Sequence, residues 1–202
     1  MSLNLPPLPP VGGETSGRSV VDVLADQHRE LLALCDRLPA GDDPRIGDVL
    51  GAVLSRHLSA EQQYLYPAVR AAVPGGEDLA DRELAEDSEL LRALADLRPG
   101  GPGAVERAGR VAAAVRRHVA ADEEELLPVL TQMVGAEDLI RIGNRIELAG
   151  EAAPTRPHPR TPSTPPWNKI VDPVVAVLDK VRDVLTRRTT YAADLDDHRR
   201  DR

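Results

Sequence analysis

Residues 56–67 read RHLSAEQQYLYP and residues 117–128 read RHVAADEEELLP, and these two segments decide the fold. Arginine, histidine, alanine, leucine and proline recur in register, and an acidic residue follows each histidine by four positions. Helical residues at i and i+4 lie on the same face, with their Cβ atoms about 5–6 Å apart. His57 with Glu61, and His118 with Asp122, therefore form imidazole–carboxylate pairs. We predict that the two pairs are facing halves of one metal site.

The apolar residues around these segments recur at spacings of three and four, which indicates long amphipathic helices. We expect four of them, at about residues 18–38, 44–73, 77–97 and 104–133, and a shorter fifth helix at about 137–151. Proline–glycine breaks separate the helices. Pro67 and Pro128 fall inside the second and fourth helices, where they should kink the helix or end its regular part. The prediction is an all-α protein with an up-and-down four-helix bundle.

The composition divides the chain into a bundle and its extensions. Residues 1–18 are rich in proline and glycine and read as a flexible N-terminal arm, and residues 19–152 form the bundle. Residues 153–168 contain six prolines and read as a stiff linker. Residues 169–188 have the spacing of a separate C-terminal amphipathic helix, and residues 189–202 form a charged tail. That helix is expected to fold back on the bundle or to pair with a second copy or another partner.

The overall composition excludes several classes of protein. The chain has 202 residues, of which 42% are hydrophobic and only 2% aromatic, so a core of leucine, valine and alanine favours helix over strand. The net charge of −8 argues against nucleic-acid binding, which requires basic surfaces. A single cysteine precludes an intrachain disulfide framework, and no apolar run is long enough for a membrane span. We expect a cytoplasmic protein without a signal peptide.

Each long helix places a metal-capable side chain within its apolar stripe. His28 fills the gap between Leu24 and Leu31 in the first helix, and the third helix carries Asp87 with Glu83 one turn earlier. Burying an unpaired charge costs several kcal/mol, and a bound cation offsets that cost. Imidazole with carboxylate suits iron, zinc or manganese, and the lack of thiolates argues against a structural zinc cage. The alternative is that these side chains satisfy each other and water by hydrogen bonds.

The order of His28, then His57 with Glu61, then His118 with Asp122 followed by leucine and proline resembles the hemerythrin-like (HHE cation-binding) domain across about residues 20–150. The resemblance implies a non-haem di-iron centre. In it, the three histidines would be terminal ligands and the two acids would bridge the irons. A ferritin-like site would need Glu-x-x-His, and no histidine here has a glutamate three positions before it.

The sequence departs from this family at two places. The third helix normally carries one or two histidines, and here Asp87, with Glu83, occupies roughly that position; both could equally be surface acids. Asp122 is shorter than glutamate, and Glu123 could serve in its place. Either change could reduce the site to one metal ion or shift its affinity away from ferrous iron.

The resemblance implies reversible binding, sensing or reduction of oxygen, nitric oxide or peroxide. Two other functions remain open: a helical interaction module with a degenerate metal site, and an iron storage or delivery protein. The sequence has no nucleophile–base arrangement, phosphate loop or nucleotide fingerprint, so no enzymatic reaction is assigned from it.

Overall fold

The computed structural model of the chain describes residues 15–38, 43, 45–97, 101–152, 190–193 and 195. Most of the described residues form five helical rods. Two of these rods contain a π-helical segment between two α-helices. The rods are α1 (Val20–Arg37); α2 (Arg45–Ala60), the first π-helical segment (Glu61–Leu65) and α3 (Tyr66–Ala72); α4 (Gly76–Ala95); α5 (Ala104–Ala121), the second π-helical segment (Asp122–Leu126) and α6 (Leu127–Met133); and α7 (Ala136–Ala152). Each boundary lies within two residues of the predicted one.

Residues later in one rod contact residues earlier in the neighbouring rod, so these neighbouring rods are antiparallel. Asp36 near the end of α1 pairs with Arg116 of α5, whereas His28 in the middle of α1 meets Glu123, further along the same rod. Likewise, Asp87 of α4 faces His118, and Arg82, earlier in α4, pairs with Glu125, later in its rod. The predicted all-α, up-and-down bundle is confirmed.

The bundle core consists of two apolar clusters. The first apolar cluster lies at the end where α7 packs, and the second lies at the opposite end. The first includes Val20, Leu24, Leu65, Ala80, Leu126, Ile142 and Ile146. The second includes Leu31, Cys35, Leu50, Leu58, Leu90, Leu94 and Val115. Between the two clusters, α1, α4 and α5 bury polar side chains, and these contribute to the site described below.

The fifth rod, α7, packs closely against the start of α1. Its Ile142 and Ile146 are fully buried in the first apolar cluster, as their spacing predicts. Gly143 makes the close approach, because a Cβ at this position would lie 2.3 Å from the carbonyl oxygen of Arg18. Ser19 caps α1 by accepting a hydrogen bond from the backbone N–H of Asp22. The glycine therefore determines how near α7 lies to this cap.

The described residues near the C-terminus return to the bundle. Arg56 of α2 donates a hydrogen bond of 2.7 Å to the carbonyl oxygen of Thr190, and its guanidinium lies 4.6 Å from the ring centre of Tyr191. Leu195 is fully buried in the second apolar cluster. The predicted Pro-rich linker and amphipathic helix, and most of the predicted N-terminal arm, lie outside the described residues. Within the described part, none of the helices is both long and apolar enough to cross a membrane.

Candidate metal centre

Seven ionisable side chains form a polar layer between the two apolar clusters. Each of the four rods that enclose the core contributes at least one of them, and every member is at most 3% exposed. We call this set the polar layer: His28, His57, Glu61, Glu83, Asp87, His118 and Asp122. Burial of so many ionisable groups in one place is costly unless they are paired or bind a cation.

The two repeated segments enter the layer through matching irregularities of the helix. The backbone N–H of Tyr66 donates to the carbonyl of Glu61, and that of Leu127 donates to the carbonyl of Asp122. These five-residue spacings are π-helical, and each precedes a proline, which has no N–H to continue the α-helical pattern. π-Helical segments occur often at functional sites. Here each one begins at the acid of an imidazole–carboxylate pair.

The three histidine rings surround a common point. Their ring centres are 5.1, 5.2 and 6.2 Å apart, and each pair of rings meets edge to face. His57 Nε2 and His118 Nε2 lie 3.0 Å apart. His28 Nε2 lies 3.5 Å from Asp122 Oδ2, to which His118 Nε2 is equally close. The Nε2 atoms of all three rings are thus directed toward the centre of the layer.

An oxygen atom faces the other nitrogen, Nδ1, of every ring. The Nδ1 atoms of His57 and His28 are hydrogen-bonded, over 2.8 and 3.0 Å, to Gln27 Oε1 and Glu123 Oε1. His118 Nδ1 lies 3.4 Å from Asp87 Oδ1. Because amide and carboxylate oxygens accept hydrogen bonds, Gln27 and Glu123 hold a proton at Nδ1 of His57 and His28, whereas His118 Nδ1 and Asp87 Oδ1 make no hydrogen bond. This leaves the Nε2 lone pairs of His57 and His28 free to bind a cation, the arrangement typical of histidine ligands.

The two acids of the repeated segments lie among these nitrogens. Glu61 Oε1 is 3.3 Å from His57 Nε2, and its Oε2 is 3.5 Å from His118 Nε2. None of the four carboxylate oxygens of Glu61 and Asp122 has a hydrogen-bonding partner among the described residues. Buried polar atoms without partners are rare in proteins. A cation between the two acids satisfies all four.

The electrostatics of the layer also favour the binding of a cation. Burial raises the pKa of Glu61 well above its usual value, and the nearby charges of Asp122 and Asp87 raise it further. Burial also raises the pKa of Asp122, but His118 and His28 outweigh this effect and hold it below its usual value. Burial lowers the pKa of His57 well below 6.5, with the other two rings adding to the effect. Without a cation, Glu61 therefore retains a proton that a metal ion would displace.

The structure separates the predicted site residues into two groups. In one group of five residues, one ligand atom from each residue lies within 4.8 Å of the ligand atoms of the other four. We call this group the five-donor residues: His28, His57, Glu61, His118 and Asp122. Asp87, Glu83 and Glu123 are outside this set. The Glu123 side chain is 47% exposed and contacts His28 Nδ1.

The two α4 acids have polar neighbours of their own. Asp87 Oδ2 accepts hydrogen bonds from Tyr66 Oη at 3.0 Å and from Gln62 Nε2 at 3.2 Å. Glu83 Oε1 lies 3.5 Å from Arg82 Nε. Burial raises the pKa of Glu83 to about 7, and the charge of Asp122 adds to the shift. Both acids are buried, which excludes the alternative that they are surface residues.

Gln27 and Gln62 are the polar contributors that sequence reasoning missed. Gln27 immediately precedes His28, yet its side chain binds His57 on the neighbouring rod. Gln62 follows Glu61 and binds Asp87. A glutamine adjacent to a ligand-type residue was the available signal in both cases, but spacing within one helix does not identify its partner on another.

Comparison with known proteins gives the chain two relatives and a family. The sequence model of the hemerythrin HHE cation binding domain matches residues 19–130, which contain the entire polar layer. An uncharacterized hemerythrin-like protein of Schizosaccharomyces pombe is 20% identical over 83% of this chain and 87% of its own length. A DNA nickase of a Nostoc species is 27% identical over 62% of this chain, and the match covers 37% of the nickase. No solved structure gives a significant match.

Proposed function

The chain belongs to the hemerythrin HHE cation-binding domain family, and from this premise we propose that it binds iron through the five-donor residues and uses the site to bind, sense or reduce a small oxidant or gas. The observation that supports iron binding most directly is the set of four unpartnered carboxylate oxygens beside three converging imidazoles. Three nitrogen and two oxygen ligands of intermediate softness suit ferrous iron.

The five-donor residues would have two kinds of role at such a site. His28, His57 and His118 would supply neutral Nε2 ligands, and Glu61 and Asp122 would supply negative charge. When bound, iron would supply reversible electron transfer and a position for oxygen, nitric oxide or peroxide. The polar layer has apolar clusters on both sides, and these exclude water from it. A dry site strengthens every charge interaction within it and limits side reactions.

Metal analysis of the full chain tests the iron assignment. Protein purified from iron-supplied cells should contain iron and absorb in the near-ultraviolet, and the double variant His57→Ala, His118→Ala should contain none. Glu124→Gln is the matched control, because Glu124 follows Asp122 by two positions but is exposed. Iron retained by the double variant would exclude this site as the iron-binding one.

The oxidant or gas is tested separately. Ferrous protein prepared without oxygen should change its absorption spectrum when oxygen, nitric oxide or hydrogen peroxide is added, and repeated addition distinguishes binding from turnover. A protein that holds iron but responds to none of the three would be assigned to iron storage or delivery. A folded protein that holds no metal and shows no thermal shift with ferrous iron would be assigned to the interaction-module alternative.

A further inference from the structure

We propose that the two buried acids of α4, Glu83 and Asp87, hold a second cation beside the iron, and that this second position takes a hard divalent cation such as Mn²⁺. The proposal rests on the proposed function, because the second position would share Glu61 and Asp122 with the iron site. It is argued from the carboxylate oxygens that one ion leaves without a partner, and from the chemistry of the donors on α4.

The polar layer holds more unpartnered oxygens than one ion can bind. Within the described part of the chain, six buried carboxylate oxygens of the layer have no hydrogen-bonding partner: both of Glu61, both of Asp122, Oδ1 of Asp87 and Oε2 of Glu83. A first-row divalent ion binds at most about six ligands, and three imidazoles would leave about three of these positions for oxygens. The remaining oxygens need another partner, and a second cation provides it.

The charge of the layer leads to the same number of ions. Its four acids are each at most 1% exposed, and they are Glu61, Glu83, Asp87 and Asp122. The nearest arginine, Arg82, is 48% exposed and approaches only Glu83 among them. Because uncompensated buried charge is costly, ionisation of all four acids requires counter-charges inside the layer. One divalent ion offsets half of the four negative charges, and two offset all of them.

Asp87 presents one oxygen to the second position. Its Oδ2 accepts hydrogen bonds from Tyr66 Oη at 3.0 Å and from Gln62 Nε2 at 3.2 Å, and these hold the carboxylate in place. Its Oδ1 lies 3.4 Å from His118 Nδ1, but the two atoms make no hydrogen bond. Since the opposite edge of the His118 ring faces the other five-donor residues, an ion bound there leaves Asp87 Oδ1 without a partner. This oxygen is therefore available to a cation on the α4 side of the ring.

Glu83 contributes the second oxygen from α4. It precedes Asp87 by four positions, so the two acids lie on the same face of the helix. Its Oε1 is 3.5 Å from Arg82 Nε, whereas its Oε2 is buried without a partner among the described residues. Burial raises the pKa of both α4 acids, and the negative charge of Asp122 raises each of them further. The three carboxylates thus lie within electrostatic reach of one another, as ligands of one cation must.

The donors of the two positions differ in chemistry. The five-donor residues include three imidazoles, which suit iron. The α4 helix contains no histidine, and its two buried acids offer only carboxylate oxygens, which suit Mn²⁺, Mg²⁺ and Ca²⁺. The preference for iron over Mn²⁺ should therefore be smaller at the second position than at the first, so that a hard cation can occupy it beside the iron.

Metal titration of the full-length protein tests the second position. Metal-free protein receives one equivalent of ferrous iron and then increasing Mn²⁺, without oxygen, and metal analysis and the EPR signal of free Mn²⁺ give the bound amounts. We expect one iron and one Mn²⁺ per chain in the wild type. Glu83→Gln and Asp87→Asn should keep the iron and bind Mn²⁺ at least about 10-fold more weakly, since even an outer partner of a metal site is worth about 10–100-fold. Glu89→Gln, which alters an exposed acid of α4, is the matched control and should bind both ions as the wild type does.

The possible outcomes separate this proposal from the proposed function. A wild type that binds no Mn²⁺ beside the iron would overturn the proposal, and so would Mn²⁺ that displaces the iron. Mn²⁺ binding that is equally tight in both variants would place the ion elsewhere on the acidic surface and overturn it as well. An equal preference for iron over Mn²⁺ at both positions would contradict the choice of a hard cation. Mn²⁺ bound through Glu83 in a protein that binds no iron would refute the proposed function alone.

Discussion

The Nε2 atoms of His57 and His118 lie 3.0 Å apart in the middle of the bundle, although 61 positions separate the residues in sequence. The Nδ1 atom of His57 is hydrogen-bonded to an amide oxygen, and that of His118 faces a carboxylate oxygen. His57 Nε2 therefore presents a lone pair, which accepts a hydrogen bond from His118 Nε2 in the metal-free protein. A cation bound by both nitrogens would replace this hydrogen bond, so the two repeated segments form one prearranged pair of donors.

Replacing Glu61 by glutamine should affect the metal-free and metal-bound proteins in opposite ways. Because burial raises the pKa of Glu61 well above its usual value, the wild type pays to protonate it at neutral pH. We expect Glu61→Gln to leave the melting temperature of the metal-free protein unchanged or higher, and to abolish the increase that ferrous iron produces. Thermal melting with and without iron measures both effects. A lower melting temperature of the metal-free variant would contradict the argument, and Glu124→Gln should behave as the wild type.

The stability of the metal-free protein should depend on the ionisation of Glu83. Burial and the charge of Asp122 raise its pKa to about 7 in the folded chain, whereas the ordinary pKa of a glutamate is 4.5. A folded-state pKa above the unfolded value means that stability is fully present below pH 4.5 and is lost as the pH rises toward 7. His57 contributes the opposite trend below pH 6.5, because its folded-state pKa is lowered.

The comparison with Glu83→Gln isolates the contribution of Glu83 from that of the histidines. We expect the free energy of unfolding of the wild type, relative to the variant, to fall between pH 4.5 and 7 and to be constant above it. Urea denaturation across this range, in the presence of a chelator, gives the difference. A difference that is independent of pH would show that Glu83 titrates normally.

Much of the fold could be predicted from the spacing of apolar residues, because this spacing indicates the buried face of each helix separately. The second rod is the clearest example. The spacing of Ile46, Leu50, His57 and Glu61 predicts that they share one face of the helix, and all four are buried. The two imidazole–carboxylate pairs could be found for the same reason, since i and i+4 residues share a face wherever the helix lies.

The α4 helix shows where periodicity fails. The spacing of its leucines predicts an inner stripe of Leu84, Leu91 and Leu94. Leu94 is buried, but Leu84 and Leu91 are only partly buried, and Leu90 is in the core instead. Both Glu83 and Asp87 face the polar layer, and this orientation turns Leu84 and Leu91 toward the edge of the core. The partners of Gln27 and Gln62 were missed for a related reason, because each lies on a different rod.

The close packing of α7 on α1 predicts opposite effects for two glycine substitutions in the same helix. A Cβ at Gly143 would lie 2.3 Å from the Arg18 carbonyl oxygen, whereas one at Gly150 would meet no atom within 4 Å. Gly143→Ala should therefore lower the free energy of unfolding by about 1–3 kcal/mol, as overpacking does. Gly150→Ala should raise it by about 0.5–1 kcal/mol, because alanine favours the helix. Equal effects in urea denaturation would show that α7 does not approach α1 as described.

The burial of Leu195 predicts that a residue near the C-terminus stabilises the bundle. Leu195 is fully buried in the second apolar cluster, whereas Leu148, on α7, is 44% exposed. Leu195→Ala should cost about 2–5 kcal/mol of unfolding free energy, the range for truncating a buried leucine, and Leu148→Ala should cost less than about 1 kcal/mol. Urea denaturation of the two variants gives the comparison.

Because Arg56, which contacts Thr190 and Tyr191, immediately precedes His57, Leu195→Ala should also weaken iron binding. A Leu195→Ala protein as stable as the wild type would mean that the C-terminal segment does not pack on the bundle in solution.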